Sequence, residues 1–173
     1  MSPLSLLKKT ELEAKLPGEN DYVVFGGTFD PPHEGHLSVL EFLKPYFRTI
    51  IIAPTEQNPW KEDEATPFAL RTKMLHLAIK EEEGVEYSTH PYLYSEELVK
   101  HLRDSRQGTL HWAVGEDSVD TVSEWRNWEA LSVPMIVAPV SIDVHSTAVR
   151  DGKQALLTCL EEFTKEHRLY GRK

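Results

Sequence analysis

A parallel β-sheet with helices packed on both faces is the α/β architecture predicted by three features of this chain. Short apolar runs rich in Val and Ile alternate with segments of helical periodicity, and the connections between them are short enough for right-handed crossovers. The first strong run, Tyr22-Val23-Val24-Phe25, also passes straight into Gly26-Gly27, as buried strands of parallel sheets do.

The elements follow in order. Residues 4–16 carry Leu4, Leu7, Leu12 and Leu16 among charges, a helical stripe broken by Pro17-Gly18 and read as an N-terminal helical extension covering residues 1–20. After the strand at 22–25, a helix is expected from about Gly35 to Lys44, stopped by Pro45. Thr49 to Ala53 reads as the next strand, with Asn58-Pro59-Trp60-Lys61 as a loop beyond it. Thr66 as N-cap and Pro67 in the first helical position start a helix whose apolar face is Leu70, Met74, Leu77 and Ala78. Val85-Glu86-Tyr87 is a short strand, Ser95 caps a helix running to about Arg106, and Leu110 to Val114 and Pro134 to Val140 are further strands. Leu156, Leu160 and Phe163 form the inner face of a last helix. Residues 21–173 thus make one domain, Rossmann-like and doubly wound, in which ligands bind beyond the carboxyl ends of the strands.

Composition narrows the function. With 173 residues, 40% hydrophobic and 27% charged, the chain is an ordinary globular protein without a segment apolar enough to span a bilayer. The opening MSPLSLLKKTELEAKL lacks a continuous apolar signal core, so a cytoplasmic location is expected. A net charge of −9 argues against broad attraction to nucleic acid or an anionic membrane. It leaves small anionic substrates open, provided that positive potential is made locally by a few cations and helix N-termini. Cys159 is the single cysteine, which rules out an internal disulfide and reads as a packed thiol. His76, His90, His101, His111 and His167 are scattered without metal-ligand spacing and read as surface or packing residues.

The chemistry concentrates in Gly26-Gly27-Thr28-Phe29-Asp30-Pro31-Pro32-His33-Glu34-Gly35-His36. Glycines at a strand end allow close backbone approach, so a phosphate chain can lie there while the following helix aims free N–H groups at it. His33 and His36, three apart in a first helical turn, project to one side and can both reach one phosphate. A glycine turn or a histidine pair alone is more often structural than functional. The complete string shifts that balance, and Asp30 before Pro31 is read as either an indirect partner or a turn residue.

That string resembles the signature of the HxGH nucleotidyltransferase superfamily, with His33, Gly35 and His36 in its named positions. Trp112-Ala113-Val114-Gly115-Glu116-Asp117-Ser118 followed by Glu124-Trp125-Arg126-Asn127-Trp128 is similar to the G-x-D segment and following tryptophan of bacterial nicotinate-nucleotide adenylyltransferases. Arg71 to Ala78 resembles their second helix, Phe163 to Tyr170 their last one, and Val144-His145-Ser146-Thr147-Ala148-Val149-Arg150 their I-S-S-T-x-I-R. The resemblance implies a nucleotidyltransferase fold and transfer of AMP from ATP to a pyridine mononucleotide, with Mg2+ carried by the substrate phosphates and no resident metal. It implies catalytic roles for His33, His36 and Arg150, and ATP binding by Gly26, Gly27, Thr28, Phe29, Gly35, Gly115, Asp117, Ser146 and Thr147. Lys61, Ser95 and Trp125 would hold the acceptor, although Lys61 in an acidic loop also reads as a solvated charge and Trp125 as core packing; Trp128 reads as core.

Two departures from the family pattern carry expectations of their own. His145 replaces the first serine of the late motif, removing a phosphate contact or adding an imidazole. The stretch from Pro134 to Ser146 is shorter than in the family, so part of a sheet edge or a substrate loop is expected to be absent. Nicotinamide mononucleotide or phosphopantetheine therefore stays open as the acceptor, as do a non-catalytic nucleotide-binding module and self-association.

Overall fold

The computed structural model describes residues 6–57, 65–140 and 142–173. Six strands form one sheet: β1 (Leu6–Leu7), β2 (Tyr22–Gly27), β3 (Thr49–Pro54), β4 (Val85–Tyr87), β5 (Leu110–Gly115) and β6 (Met135–Ala138). Their order is β1-β6-β5-β2-β3-β4 and every pairing is parallel. The helices are α1 (Lys9–Ala14), α2 (Glu34–Leu43), α3 (Phe68–Ile79), α4 (Ser95–Ser105), α5 (Trp128–Leu131), α6 (Ser146–Arg150) and α7 (Glu161–Glu166). Short 3-10 turns occupy Glu116–Glu124, Thr158–Leu160 and Leu169–Gly171.

Strands buried on both faces need apolar residues at odd and even positions alike. Val23, Phe25, Ile50 and Ile52 pack on one face against Leu40 and Leu43 of α2 and Leu75 and Ile79 of α3. Val24, Ile51, Trp112 and Met135 face the other way, onto Leu98, Val99 and Leu102 of α4 and Trp128 of α5. A third cluster joins Met74, Val149, Leu156, Leu157 and Leu160, tying the C-terminal helices to α3 and α6. From β2 the chain winds to β3 and β4 on one side and to β5 and β6 on the other. The crevice at this reversal lies beyond the carboxyl ends of β2 and β5, where Gly26-Gly27 and Gly115 stand.

Several sequence expectations are corrected. The N-terminal stripe is not one helix: Leu6-Leu7 pairs in register with Met135-Ile136, and Leu12 on α1 is buried in the same core as Ile136 and Ala138. Among the described residues, β1 and α1 are thus part of the same sheet and core. The outer edge of β6 is covered by β1, the strand formed by Leu6-Leu7. Leu16 stays exposed.

At α3, Pro67 is the cap with a non-helical ψ of 138° and Phe68 is the first helical residue. Thr66 does not cap through its side chain, since the cap position falls one residue later, and its backbone N–H is bonded to the Asp30 carboxylate. Ser95 likewise is the first residue of α4 and not its cap, and the Glu97 carboxylate accepts the free N–H groups of Leu93 and Tyr94. The last helix is split at Leu160, which keeps Leu156 and Leu160 buried and leaves Phe163 half-buried. Cys159, expected as a packed thiol, is exposed. Among the described residues no helix is long and apolar enough to cross a membrane.

Candidate functional site

The first helix start is built from its own two imidazoles. His33 is the N-cap of α2; its Nδ1 accepts the Gly35 N–H at 3.1 Å, and His36 Nδ1 accepts the His33 N–H at 3.1 Å. Free N–H groups at a helix start need acceptors, and here histidine plays the part usually given to Ser and Glu. The consequence is chemical: with each Nδ1 accepting, each neutral ring carries its proton on Nε2, as a hydrogen-bond donor. The rings stack with centroids 3.7 Å apart. Gly35 leaves room beneath them, since a Cβ there would stand 3.0 Å from the His33 ring and press on it.

Burial keeps both rings neutral. Desolvation, and secondly the charge of His145, lower the His33 pKa to about 4 from an ordinary 6.5. His36, walled in by Phe25, Phe29 and His33, is pushed well below its ordinary value by the same desolvation. As pH falls, the unfolded chain therefore binds these protons before the folded one does, so stability is complete above about pH 6.5 and is lost progressively toward pH 4. Urea unfolding between pH 7 and pH 4.5 should show a loss of about 2–3 kcal/mol from His33 alone, with a further loss from His36, and His33→Asn with His36→Asn should flatten that slope. An equally steep slope in the double variant would contradict the assignment of neutral, buried rings.

A second helix start faces the first. The Ser146 hydroxyl donates to the Pro31 carbonyl at 2.9 Å, and Arg150 Nη1 donates to the Asp30 carbonyl at 2.7 Å, so α6 is pinned to the turn that precedes α2. Arg150 Nη2 donates to Thr147 Oγ1 at 3.2 Å, which leaves the Thr147 hydroxyl proton free for a ligand. This corrects the role expected of the Ser146 hydroxyl: its proton is committed to Pro31, and only its lone pairs and backbone N–H remain. His145 is exposed, and its Nε2 lies 2.9 Å from Asp143 Oδ1.

Two cavities meet at the strand ends. A cleft of about 540 Å³ is lined by Gly26, Gly27, Thr28, Phe29, Gly35, both histidines, Gly115, Asp117, Trp125, Ser146, Thr147 and Arg150, which brings together nearly all the residues singled out from the sequence. Val140, Ile142 and Val144 give it an apolar wall. Ser95 is not in this cleft; it lines a smaller cavity of about 150 Å³ with Thr55, Tyr92, Trp112, Trp125 and Arg126. Gly26, Gly27, Thr28 and Trp125 border both spaces. Lys61 and the rest of the 58–61 loop lie outside the described residues.

Three expectations change in detail. Phe29 is 2% exposed and its ring packs edge-on against His36 at 4.8 Å, so its side chain serves packing behind the histidine pair. Gly26 is needed for packing as much as for a ligand, since a Cβ would come within 2.5 Å of both Trp112 and the Tyr92 hydroxyl. Trp125 belongs partly to the core reading: it packs edge-to-face with Trp112 and Trp128 while bordering both cavities, and Trp128 is buried as expected.

Sequence reasoning missed the residue that holds the turn in place. Arg71 is fully buried and donates to three carbonyls, those of Thr66 at 2.6 Å, Thr28 at 2.8 Å and Glu56 at 2.7 Å. The signal was present, an arginine inside the apolar stripe of α3. Asp30, read as either a ligand partner or a turn residue, is structural: its carboxylate accepts from the Thr66 N–H and the Tyr170 hydroxyl, tethering α3 and the C-terminus to the phosphate-facing turn. Burial first, and Asp30 second, drive the Tyr170 pKa upward, so that hydroxyl stays protonated as a donor. Among the described residues no three His, Cys, Asp or Glu side chains gather as a metal-holding group.

A parallel sheet whose reversal point carries a glycine turn, two facing helix starts and paired Nε2–H donors is a nucleotide-binding α/β protein with the geometry of a nucleotidyltransferase. Residues 24–155 match the cytidylyltransferase-like family, and the chain belongs to that family. It is 36% identical over 124 residues, 66% of this chain and 68% of the relative, to a protein of Sulfurimonas denitrificans named as a probable nicotinate-nucleotide adenylyltransferase. A relative of the same name from Oceanobacillus iheyensis is 27% identical over 182 residues, spanning 86% of this chain and 95% of its own. Others of that name are spanned less fully, as with 59% of the Leptospira interrogans protein. The fold is shared with Plasmodium falciparum nicotinic acid mononucleotide adenylyltransferase, solved with NaAD, at a TM-score of 0.73 and 14% identity over 89% of this chain and 98% of that one.

Proposed function

We propose that this protein transfers AMP from ATP to nicotinate mononucleotide, releasing pyrophosphate and forming nicotinate adenine dinucleotide. The observation that carries the reading is the pair of cavities joined at Gly26, Gly27, Thr28 and Trp125. The larger would take ATP, with its phosphates between the two helix starts. The smaller, bounded by Trp125 and Ser95, would take the flat pyridine ring of the acceptor.

The reaction forms one P–O bond and breaks another. An acceptor phosphate oxygen attacks the α-phosphorus of ATP as the bond to the bridging oxygen of the pyrophosphate breaks, and the electron pair leaves with pyrophosphate. The attacking group is already anionic at neutral pH, so no base is needed; the task is to align two repelling anions and stabilise charge in the transition state. Neutral His33 and His36 offer two Nε2–H donors to the phosphate oxygens, and neutral donors suit a pair that must stay stacked. Arg150 adds a fixed cation and Thr147 a hydroxyl. Magnesium would come with the MgATP substrate, since it prefers phosphate oxygens and water as ligands; the Asp30 carboxylate is taken up by Thr66 and Tyr170.

The names carried by the relatives support nicotinate mononucleotide over other acceptors. Pyrophosphate release measured with MgATP and, separately, nicotinate mononucleotide, nicotinamide mononucleotide and phosphopantetheine should show multiple turnover with the first. Turnover with phosphopantetheine alone would reassign the acceptor, and nucleotide binding without pyrophosphate release from any of the three would replace the enzyme by a binding module.

A further inference from the structure

The polyphosphate of a nucleotide carries several negative charges, and the larger cleft meets it with little fixed positive charge. Among the described residues that line this cleft Arg150 is the single permanent cation, and burial keeps the His33 and His36 rings neutral. His145 is different. It belongs to the same cleft wall, its side chain is 60% exposed, and its charge is felt at His33. Its ring also sits on a segment held from both ends by one side chain. Nε2 lies 2.9 Å from Asp143 Oδ1, the Gln154 side-chain carbonyl accepts the His145 N–H at 2.8 Å, and the Gln154 amide donates to the Asp143 carbonyl at 2.8 Å.

We propose that His145 is a proton-linked ligand of the nucleotide's polyphosphate, which it contacts as the imidazolium and releases as the neutral ring. The proposal rests on the reading that the larger cavity takes ATP. The tautomer carries the argument. A carboxylate only accepts, so the contact with Asp143 keeps a proton on Nε2, and the neutral ring is left with a lone pair on Nδ1. Among the described residues no hydrogen bond engages that Nδ1. A lone pair repels a phosphate oxygen, whereas the protonated ring presents Nδ1–H together with a positive charge. This reverses the arrangement at His33 and His36, whose Nδ1 atoms accept backbone N–H groups and whose neutral rings donate from Nε2. A bound polyanion favours the imidazolium, so nucleotide binding takes up a proton. The added affinity is present at low pH and is lost as pH rises through the range in which imidazole gives up its charge. The other charged or titratable side chains of the cleft wall are Asp30, His33, His36, Asp117, Glu124 and Arg150, while Asp143 faces His145 directly.

The test compares the full chain with His145→Ser and His145→Asn, which both keep a polar side chain that does not titrate. Calorimetry with Mg2+ and α,β-methylene-ATP at pH 6, 7 and 8, in two buffers of different ionisation enthalpy, gives the affinity and the protons taken up per nucleotide. Titration of the analogue and of the other cleft residues is common to all three proteins and drops out of the comparison. The affinity advantage of the parent over either variant should grow about fivefold from pH 8 to pH 6, the scale of one partly exposed ion contact, and the parent should take up more protons on binding. An advantage that does not change with pH, or equal proton uptake in all three, overturns the proposal and leaves the nucleotide site standing, because a ring that only shapes the wall would act alike at every pH. If one variant fails to fold, the other decides. If the parent binds no nucleotide at any pH, the ATP reading itself fails and this proposal falls with it.

Discussion

Replacing His36 with alanine will lower turnover by about 10²–10³-fold, the scale seen when one preorganised donor to a developing anion is removed. The protein will still fold, with an unchanged circular dichroism spectrum and a stability loss of about 1 kcal/mol from the missing helix cap. The two roles of the ring can be separated. His36→Asn supplies a side-chain carbonyl for the His33 N–H, which His36 Nδ1 now accepts at 3.1 Å, and does not extend to where Nε2 stands. That variant should recover the stability and not the rate. Near-normal turnover in either variant would remove His36 from the chemistry.

The second large effect concerns stability. Arg71→Met should cost about 3–5 kcal/mol, measured as a shift in the urea midpoint, because it strands three buried carbonyls that one guanidinium now satisfies. Among the described residues no carboxylate lies within hydrogen-bonding distance of the guanidinium, although the nearby Asp30 favours its charged form. Among the described residues its bonds run to main-chain oxygens, so the residue acts as a clasp between the glycine turn at Thr28, the segment after β3 at Glu56, and the start of α3 at Thr66. Arg71→Lys keeps the charge but cannot present a planar fork to three acceptors, and it should fall between the two. A loss below about 1 kcal/mol in Arg71→Met would mean that water replaces the guanidinium and that the clasp is not needed.

The central strands and the phosphate-facing turn were legible in the sequence because each is dictated locally. Tyr22-Val23-Val24-Phe25 and Thr49-Ile50-Ile51-Ile52 can only be strands buried on both faces, and a glycine pair followed by His33, Gly35 and His36 fixes a strand, a turn and a helix start in eleven residues. What was not legible depends on distant partners. Nothing local distinguishes Leu6-Leu7 in a strand from the same residues in a helix; the free edge of β6, more than a hundred residues away in sequence, decides. Thr66 and Ser95 are good caps by residue type, yet Pro67 and Tyr94 hold the cap positions, with the Thr66 N–H drawn to distant Asp30. The fate of the Ser146 hydroxyl is likewise settled by Pro31, on the opposite helix start.

A crystal structure with a non-hydrolysable ATP analogue and Mg2+ is the most direct trial of the phosphate-binding turn. Phosphate oxygens should lie within about 3.2 Å of His33 Nε2 and His36 Nε2, with the Arg150 guanidinium on the same phosphate chain and both Nδ1 atoms still held by backbone N–H groups. A nucleotide bound elsewhere, or imidazoles whose Nε2 atoms face away from every phosphate, would contradict it.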